Sequence, residues 1–126
     1  MNRDRDESAL MTVEYVLASA IAIVLFVLAA NVVVDLYVGA AVRDALDDGV
    51  RAGIPIGAGV PSCTRRATAA VDGLVHGAFR SGIRIQCAIH GTVVTADARI
   101  RFVSFVPGVV PAWTTSLRRS APRELP

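Results

Sequence analysis

From Tyr15 to Val34 the chain runs for twenty residues without an Asp, Glu, Lys or Arg, and Ser19 and Asn31 are its clearly polar breaks. As a helix rising about 1.5 Å per residue, such a stretch covers the roughly 30 Å hydrocarbon core of a bilayer. It is apolar all round rather than striped, so it reads as one transmembrane helix and not as the core helix of a small soluble domain. With 126 residues in all and a hydrophobic share of 53%, the chain has room for this anchor and one domain.

Before the span stands a charged leader, residues 1–9, with Arg3, Asp4, Arg5, Asp6 and Glu7. It has little apolar surface to bury, so residues 1–8 are expected to be disordered. After the span, Gly39, Val42, Leu46 and Val50 fall on one face at helical spacing while Asp44, Asp48 and Arg51 fall away from it. The N-terminal helix is therefore expected over 10–52, roughly 65 Å long, with its second half amphipathic. Gly53, Pro55, Gly57, Gly59 and Pro61 make 53–61 a linker, and Ser62 is a candidate N-cap for a second helix. That helix carries Ala67, Val71, Leu74, Val75, Ala78 and Phe79 on one face and is expected to end near Gly82.

The period then changes to two. Ile83, Ile85, Cys87 and Ile89 alternate with polar residues, and after a turn at Gly91 so do Val94, Ala96, Ala98, Ile100 and Phe102. Pro107, Gly108 and Pro111 interrupt this pattern, and Trp113 to Arg119 offers a third strand before a polar tail. The expected class is α+β: a long N-terminal helix, then a head (62–126) whose second helix packs on the apolar face of a small antiparallel sheet.

The 13 basic residues are all arginine and scattered, and the net charge is only +2, which excludes a dense phosphate-binding patch and with it nucleic acid as a partner. Two histidines, no glycine-rich phosphate loop and no serine elbow leave no catalytic set, so neither enzyme activity nor a small-molecule substrate is expected. Asp72 and His76, at i and i+4, read as a solvated surface pair. Cys63 and Cys87 both follow the span, and an even cysteine count in a small exported head reads as a disulfide closing a loop worth about 3 kcal/mol. The rival reading adds His76 and His90 to make a Cys2His2 zinc inventory, but Cys87 and His90 should point to opposite faces of a strand, so no metal or other cofactor is expected. The cysteine pair and the short leader place the amino terminus in the cytoplasm and the head on the oxidising side, although Arg3 and Arg5 before the span are matched by Arg43 and Arg51 after it.

The segment Ser8-Ala9-Leu10-Met11-Thr12-Val13-Glu14-Tyr15 sets a carboxylate at the edge of the span, where the cost of an acid makes it a functional candidate. It resembles the processing site of type IV pilins, in which a prepilin peptidase removes a charged leader and glutamate is the fifth mature residue. Glu14 fits that position if cleavage falls between Ala9 and Leu10, with Ala9 standing where the family usually has glycine. Tyr15 directly after Glu14 is similar to the Flp and tight-adherence (Tad) branch. The layout of long helix, second helix, small sheet and cysteine pair, together with the end Arg118-Arg119-Ser120-Ala121-Pro122-Arg123-Glu124, looks like its TadE-type minor pilins or pseudopilins. The resemblance implies a pilin-like fold in the cytoplasmic membrane, a role in assembling adhesive Flp-type pili or a related secretion apparatus, and as partners the peptidase, other pilins and pilus assembly proteins. The runner-up is an uncleaved single-pass anchor whose outer domain binds another envelope component, and the third reading is a periplasmic metal-binding protein.

Overall fold

The computed structural model describes residues 2–102, 108 and 111–123. The elements are α1 (Asn2–Gly53), α2 (Gly59–Leu74), α3 (Ala78–Ser81), β1 (Ile83–His90), β2 (Val93–Phe102) and β3 (Trp113–Pro122), an α+β chain. It divides into two compact units, Met1–Val33 and Val34–Pro126, with the border inside α1.

The first unit is helix alone. It begins at Asn2, so the charged leader is helical rather than disordered. Once a helix is nucleated each added residue costs little, and Asp4 in the first turn meets the positive end of the helix dipole. Ten large apolar side chains between Tyr15 and Val33 are each more than half exposed. Only 6% of the most apolar 18-residue window is buried, the opposite of a soluble core helix, and α1 is long and apolar enough to cross a membrane. At about 2 kcal/mol for each such side chain removed from water, leaving the ten hydrated forgoes on the order of 20 kcal/mol.

The second unit starts earlier than the linker implies, because residues 34–53 of α1 belong to it. Val38, Ala41, Val42, Ala45, Leu46 and Val50 are buried, following the helical period through four turns. Gly39, expected on this face, lies off it with nothing within 4 Å of where a Cβ would stand; Val38 takes the place instead. The break after α1 covers only residues 54–58. α2 starts at Gly59, which puts Ser62 inside the helix instead of at its cap and Pro61 in the first turn, where a missing N–H costs nothing. The helix also stops before Gly82. Val75 turns extended (φ −128°, ψ 129°) while its N–H still reaches the Val71 carbonyl at 2.8 Å, and its side chain stays in the core as the chain reverses. Ala78 and Phe79 therefore lie in the separate α3.

The sheet has order β1-β2-β3, both pairs antiparallel. His90 pairs with Val93 across the two-residue turn Gly91-Thr92, where Gly91 takes φ +60° and Thr92 keeps a negative φ, as a type II′ hairpin turn requires. The inward row Val94, Ala96, Ala98, Ile100 and Phe102 is buried as the alternation predicts. β3 continues past Arg119 to Pro122, which sits on an edge strand where its lack of an N–H is tolerated. Of the residues expected to interrupt the sheet, Pro107 lies outside the described residues, as does Glu124 of the tail.

Both helices cover the sheet, where only α2 was expected to. α2 lies over β1, joined to it by a disulfide (below), and α1 runs over the other strands, with Gly53 against Val94 and Asp47 paired to Arg119 at 3.4 Å. The two helices meet at Gly49: a Cβ there would fall 2.7 Å from Ala67 Cβ and 3.0 Å from the Cys63 carbonyl. Gly49→Val is expected to destabilise the head by about 1–3 kcal/mol through overpacking. Urea unfolding followed by circular dichroism in detergent checks this, and an unchanged midpoint would argue against the α1–α2 contact.

Candidate processing and assembly segment

Ala9, Leu10, Glu14 and Tyr15 all lie on α1 and all are exposed, with Leu10 at 69% and Tyr15 at 75%. Because side chains of a helix tilt toward its N-terminus, Glu14 leans back over the turn that begins at Leu10, and the two share a face at i and i+4. A positive amine created at Leu10 would thus stand within one helical turn of the Glu14 carboxylate, at the end of the helix where the dipole favours a negative charge. The hydroxyls nearby are already satisfied inside the helix: Ser8 Oγ donates to the Asp4 carbonyl at 3.0 Å and Thr12 Oγ1 to the Ser8 carbonyl at 2.9 Å. A protease acts on extended backbone, and this terminal stretch has only its own helical hydrogen bonds to lose on opening.

In the head, Cys63 and Cys87 form a disulfide with Sγ atoms 2.02 Å apart and Cα atoms 6.2 Å apart, within the range a bridge requires. Cys63 is fully buried on the face of α2 that also carries Ala67 and Val71, and Cys87 is on the inward row of β1. The bridge takes both thiolates of the zinc inventory, and among the described residues no group of three or more His, Cys, Asp or Glu is placed to hold a metal ion.

Asp72 and His76 do not form the pair their spacing suggested. α2 ends at Leu74, before His76, and Asp72 is ion-paired with Arg80 of α3 instead. Other contacts join residues too far apart in sequence to leave a local signal. Arg118 Nε donates to Asp97 at 2.6 Å across the β2–β3 register, and this hydrogen bond and charge raise the Arg118 pKa further above its ordinary value. The Trp113 side chain hydrogen-bonds Asp35, the first residue after the apolar stretch. Burial pushes the Asp35 carboxyl above the usual carboxylate range, and the Trp113 bond pulls the other way.

No protein-family model, curated protein or solved structure matches this chain, so its function has to be argued from its own residues.

Cys63→Ser is expected to lower head stability by about 3 kcal/mol, the loop-closure value for a 24-residue separation, and an unchanged melting temperature would show that the bridge does not restrain the fold. Asp35 has its own pH signature. With its folded pKa raised, the folded head binds the proton more tightly, so its contribution to stability is full below the ordinary value of 3.8 and is lost as the pH rises through the raised one. Asp35→Asn is therefore expected to raise the melting temperature at pH 7 relative to its effect below pH 3.8; a difference independent of pH would count against a perturbed carboxyl.

Proposed function

We propose that this chain is a TadE-like minor pilin or pseudopilin, a structural protein rather than an enzyme, that serves assembly of Flp/Tad-type pili. It is inserted once in the cytoplasmic membrane with its head outside. A prepilin peptidase cuts it between Ala9 and Leu10. The observation that carries this reading is Glu14, the carboxylate directly before the apolar stretch and the fifth residue of a chain that would begin at Leu10.

Cleavage gives the segment a balanced polar set. The new Leu10 amine and the Glu14 carboxylate neutralise each other when apolar helices of neighbouring subunits pack together and exclude water. Removing one partner of such a pair leaves a buried charge worth about 3–5 kcal/mol, enough to make the carboxylate a register device for assembly. Cleavage would also remove the Ser8 carbonyl that Thr12 now uses, freeing that hydroxyl to bond a neighbour. Ala18, Ala20, Ala22, Ala29 and Ala30 keep the helix slim enough for close packing.

Intact mass and amino-terminal sequencing of protein recovered from native membranes, with and without the candidate peptidase, test the reading. The expected result is a start at Leu10 that depends on the peptidase. An intact leader in both samples would overturn processing and leave an uncleaved single-pass anchor with a small interaction domain. Glu14→Ala is expected to insert normally but to reduce piliation, and normal piliation in that variant would remove the charge-pair role.

A further inference from the structure

The apolar stretch of α1 stops at Val34, and the groups around the next helical turn are unlike those at the far end of the head. Trp113, 47% exposed, opens β3 and is hydrogen-bonded to Asp35. Leu36 and Tyr37 are 68% and 56% exposed, and the Tyr37 hydroxyl donates to the carbonyl of Leu74, itself 44% exposed. At 100° per residue, positions 35 and 37 lie on nearly opposite sides of the helix, with 36 between them. Trp113, Leu36 and Leu74 therefore form a collar around α1 about 2–5 Å along its axis past Val34.

A protein partner would be met by one side of this collar. A surface that the helix crosses meets all of it. Two further features match a lipid surface. Phe102 and Trp113 are stacked with ring centroids 4.4 Å apart. Beside them Arg101 is exposed, opposite Thr114 in the register, where a guanidinium suits headgroup phosphates. The opposite end of the sheet, at Gly91-Thr92 and Pro122, has no aromatic residue. Trp and Tyr favour the headgroup layer because their rings are apolar and their N–H or O–H is not.

We propose that this end of the head, centred on Trp113, docks into the headgroup layer of the membrane that α1 crosses, so that the head rests on the lipid surface. The proposal rests on the membrane-anchor part of the reading above and is independent of processing and of pilus assembly.

Trp113 is the one tryptophan of the chain, so the unmodified full-length protein supplies its own probe. It is reconstituted in vesicles of phosphatidylcholine and phosphatidylglycerol, insertion is scored by flotation and resistance to alkaline extraction, and tryptophan emission is read with acrylamide in the water or with bromine on the upper acyl carbons. The expected result is at least a twofold loss of emission with brominated lipid, weak quenching by acrylamide, and no change on tenfold dilution of protein in lipid. Strong acrylamide quenching in inserted protein overturns the docking and leaves the anchor standing, and failure to insert overturns both. Emission shielded from both quenchers, or shielding lost on dilution, assigns the collar to the head interior or to a second copy and also overturns the proposal.

Discussion

One uninterrupted helix carries two incompatible surface patterns, and the rest of the molecule is organised by the place where one gives way to the other. From Tyr15 to Val34 the helix carries no charge and is apolar on nearly every side. From Val38 onward the buried residues follow a stripe, Val38, Ala41, Val42, Ala45, Leu46 and Val50, with charged residues on other faces. The first pattern has no stable resting place in water, since a single helix cannot shield its own surface. The second is satisfied by packing on a three-stranded sheet. Because the backbone hydrogen bonds continue through the change, the helix needs no turn or cap there.

The head solves the problem of a small core with two kinds of fastening. Its apolar cluster draws one stripe from each of α1 and α2 and one face of the sheet. The Cys63–Cys87 bridge ties α2 to β1, an edge strand of the sheet. The ion pairs Asp72–Arg80, Asp97–Arg118 and Asp47–Arg119 lie at exposed or half-exposed positions, where each contributes about 0–1 kcal/mol. Most of the stability therefore comes from burial and from the bridge, and the ion pairs help to set register.

The proposed pilin function and the proposed lipid docking concern the two ends of the apolar stretch, and both use polar groups that water alone would not favour there. In the proposed assembly Glu14 would be useful because it is costly: an acid that must be neutralised before helices pack would make assembly depend on the presence of the mature amine. At the other end the Trp113 side chain bonds Asp35, the first residue past the apolar stretch. A subunit that waits in a bilayer and is later withdrawn needs both a reversible hold and a register signal.

Everything repeating over a few residues was legible in the chain: the twenty-residue apolar run, the stripe through Val42, Leu46 and Val50, the alternation of β1 and β2, and the third strand from Trp113. These depend on local periodicity, which sequence states directly. The same reasoning made the leader disordered, carried α2 on to Gly82, capped it with Ser62 and put Gly39 in the core. Each was an error at a boundary or register, where a small difference between continuing and stopping is decided by what the neighbouring element can bury. Only the tertiary structure could bring Cys63 within bridging distance of Cys87, set α1 as well as α2 over the sheet, turn Asp72 from His76 to Arg80, and join Asp35 to Trp113. Such contacts span many residues of sequence, and their partners are chosen by three-dimensional packing, which no spacing along the chain encodes.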